Sequence, residues 1–293
     1  MGGRRDGRAA AGSTADRPDP GRQARAIAYS GRAMRLRPLL LVLTAVLGLP
    51  SALNARQVTL SYDGYYLLFR VISIDSVSSV DPAAYRTNLV LRTTGLLGAL
   101  GRWESTASAT GAVDGALLRP VFYDARSEFR DRSQRVALQY DRGGAVRAAV
   151  EGVLTDGERE DVPPPLRDGT VDPLTATVGL PRRIVSTGSC AGTVRVFDGL
   201  RRYDLRYEDL GLVDLEPSSR DSYRGPARYC RATVEPVAGF LRSGEGSSYR
   251  ATEMSVWLAA PVPGVYPVAV RIDLTGTRGT LHLHLARAAV ADG

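Results

Sequence analysis

Lysine is missing from this 293-residue chain, and all 38 of its basic residues are arginine. That uniformity reads as a coding bias rather than a binding device. Histidine and cysteine are scarce, with two of each. The scarcity removes most enzyme classes that a sequence can announce. There is no H-E-x-x-H pair, no P-loop, no Rossmann glycine pattern and no His-Cys zinc spacing. A serine triad would have to use His282 or His284, with no elbow to present the serine. No apolar run reaches the roughly 20 residues that a membrane-spanning helix needs. Strongly periodic helical patterns and internal repeats are also lacking.

Charge is less one-sided than the net +7 suggests. Residues 1–33 hold seven Arg and three Asp, and residues 34–55 add Arg35 and Arg37, which leaves +1 for residues 56–293. A nearly neutral body has no bulk attraction for nucleic acid, so no nucleic-acid partner is expected. Residues 1–33 are rich in Gly, Ala, Arg, Asp and Pro and cannot bury enough apolar surface to order, so they read as a disordered or over-called extension. From Met34 the text changes. Arg35 and Arg37 precede the short apolar run Leu39–Leu49, and Pro50-Ser-Ala-Leu-Asn-Ala55 supplies small residues. This is the pattern of a secretory signal peptide over 34–55, cleaved near Ala55, which predicts a periplasmic protein. The alternative is an uncleaved anchor in the inner membrane.

The body, residues 56–287, reads as one β-rich domain with halves 57–155 and 170–287. Val58, Leu60 and Tyr62 alternate, Asp63-Gly64 punctuates, and further strands follow at Tyr65–Ile74, Tyr85–Arg92, Phe122–Phe129 and Arg135–Tyr140. Thr94–Gly98 reads as a break, and Gly111 and Asp114-Gly115 as turns. Pro163-Pro-Pro165 forms a stiff connector. Asp172-Pro173 then opens one short helix, with Asp as N-cap and Pro at its first position, ended within about two turns by Gly179 and Pro181.

The most informative stretch is Cys190–Leu210. Val194 and Val196 alternate against Tyr203, Leu205 and Tyr207 across an Asp198-Gly199 turn, which predicts a hairpin with one buried face. Asp198, Arg201, Arg202 and Asp204 form a charged cluster at its tip, where solvated ion pairs contribute only about 0–1 kcal/mol each. Cys190 and Cys230 are the sole cysteines, and in an exported chain they predict a disulfide that stabilises by roughly 3–4 kcal/mol. Gly188-Ser-Cys190-Ala-Gly192 resembles a nucleophile elbow on paper. A strand rather than a helix follows it, which argues against that role. His282 and His284 share a strand face, yet a metal site needs a third ligand that nothing identifies, so no metal or cofactor is expected.

The order of these motifs resembles domain-of-unknown-function family 3108, a group of exported proteobacterial proteins. The matching pieces are Thr94–Gly98, Trp103-Glu-Ser105, Gly111, Arg119-Pro120, Tyr140-Asp141, Thr170-Val-Asp-Pro-Leu174, Cys190, Val196-Phe-Asp-Gly199, Arg202-Tyr-Asp-Leu205, Cys230, Val256-Trp-Leu258 and Pro267-Val268. The resemblance implies an envelope protein and carries over no catalytic residue. The expected fold is an antiparallel meander forming a strongly curved sheet or incomplete barrel around one short helix. Such sheets enclose apolar ligands. Tyr62, Tyr65, Tyr66, Leu96, Leu97, Trp103 and Trp257 are the residues expected to line a cavity for a lipid-like ligand in a non-catalytic carrier. The alternatives are a structural or assembly module docking an envelope protein and, third, a hydrolase.

Overall fold

The computed structural model describes residues 56–154, 159–217, 222–241, 251–263, 265–277 and 279–292. The proposed extension and signal peptide, residues 1–55, lie outside them. Thirteen strands form one antiparallel sheet. In chain order they are β1 Arg56–Tyr66, β2 Phe69–Val80, β3 Ala84–Thr93, β4 Trp103–Asp114, β5 Leu117–Phe129, β6 Arg132–Tyr140, β7 Val146–Gly152, β8 Gly192–Phe197, β9 Arg202–Leu215, β10 Gly225–Ala238, β11 Ala251–Ala259, β12 Val268–Gly276 and β13 Gly279–Asp292. Three helices interrupt them: α1 Gly95–Leu100, α2 Pro164–Arg167 and α3 Pro173–Thr187. Among the described residues no helix is long and apolar enough to cross a membrane.

The sheet is two meanders joined at the centre. Its order is β7-β6-β5-β4-β3-β2-β1-β13-β12-β11-β10-β9-β8, so the first and last strands pair with each other. Strands β7 and β8, consecutive in sequence, become the two outer edges. The segment between them draws those edges together. The Gly169 amide donates to the Gly144 carbonyl (2.9 Å), Val171 donates to Arg195 (2.9 Å), and Phe197 donates back to Val171 (3.0 Å). The result is an incomplete barrel, stapled at one point and otherwise not closed by strand pairing among the described residues.

Local sequence explains the elements, apart from Gly111, which lies inside β4 against Tyr85 rather than at a turn, and three further departures. Asp63-Gly64 makes no turn. Strand β1 runs through it, because a Cβ at Gly64 would lie 2.8 Å from both Ile72 and Leu283, and glycine is what lets the chain pack there. The reversal comes later, at Leu67-Leu68, where Leu67 takes a left-handed φ of 56°. The second departure is α3. Asp172 caps it by accepting from the Thr175 amide (2.9 Å), as expected, but the helix passes Gly179 and Pro181 and ends at Gly188, whose amide donates to Ile184. A proline inside a helix costs about 3 kcal/mol. Leu180 and Ile184, on either side of it, pack among Leu205, Val256 and the cysteines, and that burial holds the chain helical. Third, Thr94–Gly98 and Pro163–Pro165 are not simple breaks but carry the short helices α1 and α2.

Helix α3 fills the concave side. On one flank Leu174 joins Tyr85, Tyr123, Leu138, Tyr140 and Phe197, which come from strands of both halves. On the other, Ala176 and Leu180 meet Val196, Tyr207, Ala232 and Leu258. Smaller clusters around Tyr62 and Val270 and around Ile72 and Leu283 fill the rest of the interior face.

Candidate functional site

The motif-bearing residues converge where α3 meets the stapled edges. Asp172 is wholly buried, and its Oδ2 accepts from the Thr175 hydroxyl at 2.5 Å. Thr175 Oγ1 in turn shares a 2.6 Å hydrogen bond with the Tyr85 hydroxyl. Tyr123 and Tyr140 lie close enough for the Asp172 charge to hold their phenols neutral, after burial, which is the larger cause. Tyr140 Oη has no hydrogen-bond partner among the described residues. Burial pushes the Asp172 carboxyl up to about 6, against the pull of its hydrogen bonds from Thr175. This is a buried acid among tyrosines, with the one hydroxyl bonded to it, that of Thr175, shared with Tyr85. Its chemistry is structural: it caps the helix and ties it to β3.

The 198–204 cluster belongs to the same region and is not a solvated tip. Asp198 donates its amide to the Arg201 carbonyl, so the two central loop residues are Gly199-Leu200, one position later than the sequence pattern places them. Gly199 has φ 94° and lies directly against Val136 of β6, where any side chain would collide. Asp198 accepts from the Leu200 and Arg201 amides and pairs with the Arg201 guanidinium at 2.7 Å. Arg202 is buried, bonded to Asp204 (2.6 Å) and to the Leu166 carbonyl (3.1 Å). The hairpin end is therefore a latch between the two halves of the sheet.

The described members of the set expected to line a cavity fall into separate groups, with Tyr62 and Trp257 at one cluster and Tyr66 and Trp103 at another. Tyr62 packs with Leu215, Ala227, Val270 and Leu285. Tyr66 and Trp103 join a different cluster with Val71, Ile72 and Leu283. The side chains of Leu96 and Leu97 lie outside the description. Trp257 sits on the opposite face of its strand from Val256 and Leu258, stacked on Tyr229 at 4.7 Å with the Arg271 guanidinium 4.8 Å over its ring. Tyr65 lies beside His284 on that same face, ring centres 5.9 Å apart. Strand alternation explains the split, since neighbouring aromatics such as Tyr65 and Tyr66 must point to opposite faces. An opening of about 520 Å³ lies beside Asp81, Tyr85, Arg86 and Val121.

His282 and His284 alternate with the buried Leu283 and Leu285 and take the other face of β13. His282 Nδ1 lies 2.9 Å from Asp273 Oδ1, and Arg271 holds the same carboxylate through two bonds of 3.0 and 2.7 Å. Strand register sets the row His282, Asp273, Ser255, with the carboxylate in the middle. A triad needs the imidazole between acid and hydroxyl, so this row gives the histidine no nucleophile to deprotonate. Partial burial, then the Arg271 charge, lowers the His284 pKa, which Asp273 only partly offsets. Among the described residues no group of three metal-ligating side chains forms.

The cysteines do form the disulfide, both fully buried, fastening the end of the α3 connector to β10. Cys190 is thereby excluded as a nucleophile. Beside it Asp209 accepts from the Cys190 amide (2.8 Å) and the Arg228 guanidinium (2.8 Å). Burial alone would raise the Asp209 carboxyl. The hydrogen bonds from Arg228, Ser189 and the Gly211 and Cys190 amides outweigh it and hold the pKa far below the usual range.

One feature with a surface role escaped the sequence reading. At the β1–β2 turn Leu67, Leu68 and Phe69 are 74%, 92% and 61% exposed. The signal was present as five consecutive hydrophobic residues, Tyr65–Phe69, at a reversal with no Gly, Pro, Asn or Asp. Arg70 (2.7 Å from Asp63) and Arg102 (3.1 Å from Glu104) flank the same rim, and the Arg130 amide meets the Arg102 carbonyl there.

Comparison with known proteins places the chain in context. The family described as "Protein of unknown function (DUF3108)" matches residues 61–284. No curated protein matches. Among solved structures, the chain is similar to the crystal structure of a β-barrel-like protein of domain of unknown function DUF1849 from Brucella abortus. The two share 10% identity over 82% of this chain and 99% of that one, with a TM-score of 0.48.

Proposed function

This chain belongs to the DUF3108 family of proteins of unknown function, and on that premise we propose that it is an exported, non-catalytic module of the cell envelope that docks on a lipid surface through its Leu67-Leu68-Phe69 turn. The observation that carries this reading is the exposure of three consecutive large apolar side chains at the β1–β2 turn. Exposed apolar patches mark interaction surfaces, and fully burying a side chain of this size stabilises by about 1.5–3 kcal/mol. Partial insertion of three such groups gives reversible surface binding. The flanking Arg70 and Arg102 are paired with Asp63 and Glu104, so the contact is led by apolar burial and depends little on salt. Export is proposed from the 34–55 segment and fits the buried disulfide, which belongs to an oxidising compartment. A lipid carrier would need a shared apolar cavity, and the concave side holds α3 instead.

The test is co-sedimentation with phosphatidylethanolamine–phosphatidylglycerol vesicles. The wild-type chain should sediment with them at low and moderate salt. A Leu67→Ser/Leu68→Ser/Phe69→Ser variant with an unchanged unfolding midpoint should stay in solution. Equal partitioning of the two, or none by wild type, overturns the reading. Native mass spectrometry after export separates docking from carriage, since a stoichiometric lipid adduct would restore the carrier.

A further inference from the structure

Edge strand β7 reads Val146-Arg-Ala-Ala-Val-Glu-Gly152, and among the described residues it pairs with β6 alone. Long unprotected edges invite another strand, and proteins usually blunt them. Among the described residues this one is blunted at its start, where the Val146 amide donates to Asp168 Oδ1 at 3.3 Å. That bond also fixes which backbone groups face outward. Val146 lies opposite Tyr140 with its amide turned away from β6, so by alternation the amides and carbonyls of Ala148 and Val150 point outward as well. Arg147, Ala149 and Glu151 project from the outer face and are exposed. Arg147 has no ion pair among the described residues. Glu151 stands across from Arg135, which is already held by Asp124 through two hydrogen bonds.

The strand is self-complementary about Ala149. We propose that β7 pairs antiparallel with β7 of a second copy of this chain, on a twofold axis through Ala149, making a homodimer by edge-to-edge extension of the sheet. In that register Ala148 and Val150 of the two copies exchange all four outward hydrogen bonds, and Arg147 of each copy stands opposite Glu151 of the other. Shifting by one step to centre on Ala148 or Val150 keeps the backbone bonds but puts Arg147 or Glu151 opposite alanine. Charge therefore selects one register of the three. Interfaces of this kind are isologous, as closed twofold dimers require.

The inference is independent of the lipid-docking turn, which lies at the opposite end of the β1–β7 meander. The experiment is sedimentation velocity of the full chain, purified without reductant, across a concentration series. Wild type should dimerise. Arg147→Glu and Glu151→Arg should each weaken the dimer about tenfold or more, because like charges then stand opposite one another at two symmetric places. The double variant Arg147→Glu/Glu151→Arg should restore it. All these positions are exposed, so folding is expected to survive, and far-ultraviolet circular dichroism checks it. Ala149→Cys gives a second readout. A residue on the axis faces its own copy at about 4.5 Å between Cα atoms, within disulfide reach. That variant should cross-link rapidly to a covalent dimer under mild oxidation, whereas Thr193→Cys on the other edge should not. A wild-type chain that is monomeric throughout, a double variant no better than the singles, or equal cross-linking at both positions overturns the proposal. The Leu67→Ser/Leu68→Ser/Phe69→Ser variant should dimerise normally, which separates this failure from failure of the docking reading.

Discussion

The Tyr85 hydroxyl lies 2.6 Å from Thr175 Oγ1, joining strand β3 of the first meander to the helix that packs against the second. Both groups are buried, and the bond continues to Asp172. Tyr85, 90 residues from Thr175, thus holds the Asp172–Thr175 start of α3 to one flank of the sheet, while the disulfide and Leu180 hold it to the other.

Tyr85→Phe removes one end of that chain of bonds and leaves Thr175 still bonded to Asp172. It should destabilise the fold by about 1 kcal/mol, the net worth of a buried hydrogen bond. Asp172→Ala also strips the helix cap and should cost about 1–2 kcal/mol or more. Urea unfolding compares the two. Equal stability of Tyr85→Phe and wild type would mean that packing alone places the helix.

Two carboxylates should give stability a maximum near pH 4. Asp172 has its pKa raised from 3.8 to about 6 in the fold, so its contribution is fully present below about 4 and is lost as pH rises through 6. Asp209 is shifted the other way, so its contribution is present above about 4 and lost as pH falls further. Asp172→Asn should flatten the profile between about 4 and 6. Asp209→Asn should flatten the acid limb. Unfolding midpoints from pH 2 to 8 test both signs.

The Cys190–Cys230 bond closes a separation of 40 residues and should stabilise the fold by roughly 3–4 kcal/mol. Because both cysteines are fully buried, mild thiol should not reduce the native protein, and reduction should track unfolding. Thiol release in dithiothreitol, with and without urea, reads this directly. Rapid release from folded protein would contradict it.

Pro181→Ala should stabilise rather than perturb. The helix already passes through this position, and alanine restores the missing amide facing the Thr177 carbonyl. A gain of about 1–3 kcal/mol is expected. A loss would show that the ring itself packs in the core.

Much of this architecture is legible in the sequence. Alternation across Val194–Tyr207, the Asp172-Pro173 helix start and the two lone cysteines all report local rules, and each appears in the structure. The failures arise where a distant neighbour decides. Pro181 should end a helix, but Leu180 and Ile184 gain more from the core than the proline loses. Asp63-Gly64 should turn, but Ile72 and Leu283 need the space that glycine leaves. The described residues of the expected cavity set divide between clusters because alternation assigns two faces without saying which is inside. Tyr62 and Tyr65 therefore looked equivalent, although one is core and the other stands beside His284 on the outer surface. The charged 198–204 cluster looked like solvent-exposed decoration because nothing local reveals that Val136 lies over Gly199.

The pairing of β1 with β13 sets the order of assembly. Each meander can grow strand by strand from its own hairpins, but the seam between them forms only when residues 279–292 have been made. Until then β1 carries an unsatisfied edge, with Tyr62 and Leu60 uncovered on the side that Leu285 and Ala288 will occupy. A chain of this design stays incomplete until its synthesis is nearly finished, dependent on whatever keeps unfinished polypeptides apart. Premature stops anywhere in the last strand should therefore yield aggregation rather than a smaller folded protein.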